Sequence, residues 1–100
     1  MILLYVTCKD KREAEKIAMH LVKKRLIACA NIFPITSIYR WNYKIVNEVE
    51  YVIIAKTNNK NFRKVVAEVK KIHSYQIPCI LRINAGANKE YEIWANKEMR

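Results

Sequence analysis

Val49-Glu50-Tyr51-Val52-Ile53-Ile54-Ala55-Lys56-Thr57 decides the fold. Its centre, Tyr51 to Ala55, is apolar at every position and rich in β-branched residues, which reads as a strand buried on both faces. Toward the N-terminus, Ala28 to about Tyr39 is also extended, with Pro34 marking a bulge or an edge strand. The turn between the two runs falls within Trp41-Asn42-Tyr43, where Tyr43 is an unusual residue for a tight turn. The two runs form one long hairpin.

On either side of the hairpin the period changes. Ile2 to Thr7 is a short apolar run that reads as a central strand. Asp10 and Glu13 then form a capping-box pattern, followed by Ala14, Ile17, Ala18, Leu21 and Val22 at helical spacing. Beyond the hairpin, Asn58 or Asn59 caps a second helix whose apolar face is Phe62, Val65, Val66, Val69 and Ile72. Ser74 and Tyr75 break it. Ile77 to Ile83 reads as a strand, Gly86 as a turn, and Tyr91, Trp94 and Ala95 as a short terminal helix from about Lys89. The order βαββαβ, with right-handed crossovers, places both large helices on one face of a four-stranded antiparallel sheet. The expected fold is the α+β, ferredoxin-like sandwich, as a single domain over residues 1–100.

Composition narrows the function. One glycine in 100 residues excludes the glycine-built phosphate loops of Walker A and dinucleotide sites. A formal charge of +10 raises nucleic acid or an anionic membrane as candidate partners, but a merely solvated Lys-rich surface is the reading that composition favours. The third strand lacks the basic-glycine-aromatic signature of RNA-recognition motifs, so no specific nucleic-acid partner is expected of the sheet. Most cations instead fall on the helices, at Lys16, Lys23, Lys24, Arg63, Lys64, Lys70 and Lys71, where weak, salt-sensitive adhesion is the alternative. Cys8, Cys29 and Cys79 show neither disulfide nor zinc-module spacing and suit a reduced, cytoplasmic setting. Met1 leads directly into Ile-Leu-Leu-Tyr-Val, so neither a signal peptide nor a membrane span is expected.

A sheet with one wet face should alternate polar and apolar residues, and these strands do not. The face left free by the helices, with the long hairpin, therefore asks for a partner, and a closed homo-oligomer is expected. Tyr39, Trp41 and Tyr43, interleaved with Arg40 and Lys44, suit a subunit anchor better than a base-stacking platform. There is no GxSxG elbow, no HExxH and no paired carboxylate in an apolar setting, so no enzyme is expected. His20 reads as a boundary residue of the first helix. His73 ends the second helix, where it either caps the negative helix end or ligates a metal. Cys8 ends the first strand and Cys79 starts the fourth, at positions that converge on His73. One imidazole with one or two thiolates suits copper or zinc, with water or a neighbouring subunit completing the set.

Several stretches share a further pattern. Lys24-Arg25-Leu26-Ile27-Ala28-Cys29-Ala30-Asn31-Ile32 resembles the KRLAACVNI segment of the CutA divalent-cation tolerance family. Ser37-Ile38-Tyr39-Arg40-Trp41 with Lys44-Ile45 resembles its SIYxWxGKI hairpin, and Glu50 through Lys56-Thr57 its E…IKT strand. His73-Ser74-Tyr75-Gln76-Ile77-Pro78 resembles its HPYEVP turn, and Tyr91 with Trp94 its YxxW. The resemblance implies a homotrimer of ferredoxin-like subunits, with Tyr39, Trp41, Tyr43, Tyr51 and Trp94 at the trimer interface. It implies divalent-cation tolerance, copper in particular, without catalysis and without a required cofactor. In bacterial members the proposed copper ligands are a cysteine of the first strand and histidines just before the Pro-Tyr step. Here His73 matches one of these histidines, Ile72 replaces the other, and Cys8 lies about two residues beyond the strand cysteine. Tyr43 replaces the turn glycine, Ser74 the proline and Gln76 the glutamate. The alternative is a sensor or signalling scaffold that takes an anionic metabolite in inter-subunit clefts lined by Arg25, Lys56, Tyr75 and Gln76.

Overall fold

The computed structural model describes residues 1–100. Its elements are β1 (Ile2–Cys8), α1 (Lys11–Lys23), β2 (Cys29–Trp41), β3 (Lys44–Thr57), α2 (Phe62–Ile72), β4 (Ile80–Asn84) and α3 (Lys89–Glu98). The sheet order is β2-β3-β1-β4, antiparallel throughout, which is the ferredoxin-like order expected from the sequence. Two boundaries differ: β3 already starts at Lys44 rather than Val49, and β4 starts late. β4 starts at Ile80, not Ile77, because its pairing with β1 begins at Val6↔Ile80 and Ile77 to Cys79 are still crossing over from α2. β2 and β3 pair without a break from Cys29↔Lys56 to Trp41↔Lys44, so Pro34 makes no bulge. It sits on an edge strand, where a missing N–H costs no ladder bond.

α1 begins at Asp10, whose side chain accepts the Glu13 N–H at 2.8 Å. It ends in a Schellman motif: Leu26 N–H bonds Leu21 O at 3.0 Å and Arg25 N–H bonds Val22 O at 2.9 Å. The left-handed residue of that motif is Arg25, at φ 60, in a position usually given to glycine. The hairpin turn has the same character. Asn42 and Tyr43 have φ of 49 and 66, a two-residue turn of the kind whose twist matches its flanking strands.

Strand alternation assigns the two faces. Ile2, Leu4, Val6 and Cys8 of β1, with Ile53 and Ala55 of β3, join Ile17, Leu21, Val65 and Val69 of the helices in one buried core. The opposite face carries Leu3, Tyr5, Ile54, Phe33 and Val52. The outermost β1–β3 pair is Cys8↔Tyr51, so Ile35–Trp41 and Lys44–Glu50 continue as a two-stranded ribbon. At about 3.4 Å per residue, these seven-residue arms reach roughly 24 Å beyond the four-stranded region. The long axis of the molecule, 45 Å against 25 and 21 Å, reflects that arm.

Candidate functional site

One end of the sheet collects the chain's most concentrated chemistry. β1 ends there at Cys8, α1 starts there, and the segment after α2 folds back over both. Cys8, Glu13 and His73 bring a sulfur, a carboxylate oxygen and a ring nitrogen within 4.8 Å of one another. Each has a structural reason to be there. Cys8 is the last core-facing position of β1 and is fully buried. Glu13 stands in the first turn of α1 and reaches back to accept the Lys9 N–H at 3.0 Å. Its second oxygen accepts the Ser74 N–H at 2.9 Å, so one carboxylate ties the start of α1 to the loop after α2.

His73 is held at both nitrogens. Nδ1 accepts the Tyr75 N–H at 3.0 Å, which leaves Nε2 to carry the proton and donate to Thr7 O at 2.7 Å. Its ring lies 4.8 Å from that of Tyr75, tilted by 53°. Tyr75 in turn donates its hydroxyl to Glu50, at 2.5 Å, on the sheet face away from α1 and α2. The 73–75 segment thus wraps the end of the sheet and is bonded on both faces.

Electrostatics follows from burial and these bonds. Burial pushes the Cys8 thiol up to about 12, and the charges of Glu13 and Glu50 push the same way. Burial also works against the charge of Glu13, but its bonds from Ser74 and Lys9 outweigh it and hold the carboxyl below its ordinary value. The Tyr75 hydroxyl is raised by burial and by its bond to Glu50. Sulfur, imidazole and carboxylate together match a borderline cation such as copper or zinc. To take one, Cys8 must lose its proton and His73 must exchange one of its two hydrogen bonds.

Cys79 stands outside this trio, so the expected convergence holds for Cys8 and His73 but not for the third residue. It lies half-buried by the Thr7 side chain, with its thiol raised by burial and by Glu50. Glu13 takes its place. The sequence marked Glu13 only as a capping residue, and that role concealed its second contact with Ser74.

The four residues expected to line an anion cleft do not meet within the chain. Arg25 donates to Glu98 O at 3.1 Å and Lys97 O at 2.9 Å, closing the C-terminal end of α3. Lys56 holds its Nζ 5.3 Å from the centre of the Tyr91 ring. Tyr75 lies six residues away along β3, against Glu50, and Gln76 is exposed. Among the expected interface residues, Tyr39 and Trp41 lie on the ribbon, and Tyr43 at its tip is 97% exposed. Tyr39 donates to Glu48 at 2.5 Å, a bond that pushes its hydroxyl up to about 12. Trp94 stands exposed on α3 beside Tyr91. Tyr51 alternates onto the helix side and packs against the core.

The CutA1 divalent ion tolerance protein family model matches residues 2–98. A divalent-cation tolerance protein CutA from Archaeoglobus fulgidus is 42% identical over 95 residues, which are 94% of this chain and 93% of that one. The solved structure of CutA from the same organism superposes with a TM-score of 0.96 at 40% identity, covering 100% of both chains. CutA1 from Pyrococcus horikoshii gives a TM-score of 0.97 at 35% identity, covering 100% of this chain and 99% of that one. Sequence, topology and the full-length superposition agree, and the chain belongs to the CutA1 divalent ion tolerance family.

Proposed function

We propose that this protein acts in divalent-cation tolerance as a cytoplasmic homotrimer that binds copper, or a related divalent ion, without catalysing a reaction. The observation that carries the reading is the Cys8–Glu13–His73 trio, whose three different ligand atoms lie within 4.8 Å of one another inside a chain of this family. Three protein ligands leave a fourth position for water or a neighbouring subunit, as an exchangeable site requires. Trimerisation is supported by the ribbon. Two strands alone are marginal in water, and this pair carries exposed apolar side chains on both faces. Free thiols at Cys8, Cys29 and Cys79 suit the reducing cytoplasm.

The test is calorimetric titration of metal-stripped protein with Cu(II), with native mass recorded on the same samples. His73→Ala and Glu13→Gln each weaken binding by at least tenfold while the mass stays that of a trimer. Unchanged uptake in His73→Ala removes the trio as the site. A monomeric mass in the unmodified protein removes the assembly.

A further inference from the structure

We propose that the outer surface of α2, with the C-terminal end of α1 beside it, is a docking surface for the phosphodiester backbone of nucleic acid, read without base preference. The inference is independent of the metal reading and rests on where the charges stand. The chain has 19 Lys and Arg against 9 Asp and Glu. Only Lys24, Arg25 and Lys71 meet a carboxylate within ion-pair distance. The acids are largely committed elsewhere. Glu13, Glu50 and Glu68 are buried, Asp10 caps α1, Glu48 holds Tyr39, and Glu90, Glu92 and Glu98 all lie on α3. Of the carboxylates within α1 and α2, Glu15 alone is exposed.

α2 is built as a cationic ridge. Arg63 and Lys70 are seven residues apart, as are Lys64 and Lys71, and all four are exposed. Seven residues are close to two helical turns, so each pair forms a row of two charges about 10 Å apart. A groove runs along each side of the ridge. Lys24, Lys64, Lys71 and Arg100 line one of 530 Å³. Arg63 and Lys70, over an apolar floor of Phe62, Val66, Pro78 and Ile80, line the other, of 330 Å³. The first groove is braced from within. Glu68 accepts from Lys24 and from Lys71, the latter at 2.9 Å, and lies 3.4 Å from His20 Nε2. One carboxylate shared between two ammonium groups fixes their positions and still leaves net positive charge.

The character of the surface selects the partner. An interfacial membrane surface needs bulky apolar groups such as Trp, Phe or Leu to insert into the bilayer. α2 exposes no large apolar side chain, and α1 exposes only Met19 and Val22. No aromatic side chain stands exposed on either helix to stack on bases, so phosphate contact is the mode that remains. Counterion release then drives binding, with log affinity falling by about 0.9 per neutralised phosphate for each unit of log salt.

The experiment is fluorescence anisotropy of the full chain with a labelled 20-base-pair duplex of arbitrary sequence, from 50 to 200 mM salt. Binding is expected at low salt, with a slope corresponding to several phosphates and the same affinity for an unrelated sequence. Lys64→Glu/Lys70→Glu should weaken binding by at least tenfold and flatten the slope by about two. Lys64→Gln/Lys70→Gln should do the same more mildly. Lys89→Glu/Lys97→Glu changes net charge equally on α3 and should leave most of the affinity intact. No binding at 50 mM salt overturns the proposal, as does an equal loss in the α2 and α3 variants. Tighter binding to phosphatidylserine vesicles than to the duplex would give the surface to the membrane instead.

Discussion

Glu68 shows how much one side chain can be asked to hold. It is buried on α2, yet it draws Lys24, Lys71 and His20 to one carboxylate and so links the two helices. Its bonds from Lys24 and Lys71 bring the carboxyl from 4.5 down to about 2. A carboxyl lowered on folding stabilises the native state fully above its unfolded value and loses that contribution as pH falls through its folded value. Acid unfolding should therefore weaken the protein progressively from about pH 4.5 toward pH 2, and Glu68→Gln should flatten that limb in urea titrations followed by circular dichroism. The same scale explains what was legible at the candidate metal site. Cys8 and His73 announce themselves by residue type. Glu13 does not, because an acid at the start of a helix is already explained by the cap, and only the fold-back of Ser74 gives it a second partner.

Among the elements, the hairpin turn concentrates the strain. Tyr43 adopts φ 66, where the Cβ of an L-residue crowds the following carbonyl oxygen and glycine, without a Cβ, does not. Tyr43→Gly should stabilise the protein by a few tenths to about 1 kcal/mol, since relief of up to ~2 kcal/mol is offset by glycine's greater freedom when unfolded. Tyr43→Val, β-branched at the same φ, should destabilise it, and thermal melts of the two variants check the sign. Helix starts were partly readable because capping is local. Asp10 caps α1, whereas Asn58 caps a 3-10 turn, Asn59–Asn61, that leads into α2, and α2 itself starts after Asn61 without a side-chain cap bond. The start of β4 was not. Ile77 is apolar like a strand residue, but strand identity requires a neighbour, and β1 offers its first partner only at Ile80. Pro34 was half-readable for the same reason, since whether a proline marks a bulge or an edge depends on which strands lie beside it.

For the whole molecule, the arm is the feature that a single chain leaves unfinished. Its helix-side residues Ile38, Ile45 and Val49 are exposed, and so are Tyr39 and Trp41 on the other side. A pair of strands with both faces apolar gains stability only when another subunit covers it. If the proposed trimer uses this arm, Ile38→Glu/Ile45→Glu should lower its mass to that of a monomer in sedimentation at low micromolar concentration, because a buried unpaired charge opposes assembly. An unchanged mass would remove the helix-side face of the arm from the proposed contact.

What the sequence by itself determined was everything set by local period and local capping. That covers two amphipathic helices, the long hairpin, the two-faced central strands and the family pattern from Lys24 to Trp94. These follow from neighbours three or four residues apart, or from alternate residues along a strand. The tertiary structure decided what depends on distant partners. It put Glu13 rather than Cys79 beside Cys8 and His73, and it committed Arg25 to the end of α3. It also buried Glu13, Glu50 and Glu68 and left α2 as an exposed row of cations. The physical reason is common to all three. A side chain's chemistry is fixed by its type, but its partners are fixed by which ends of the chain the sheet brings together.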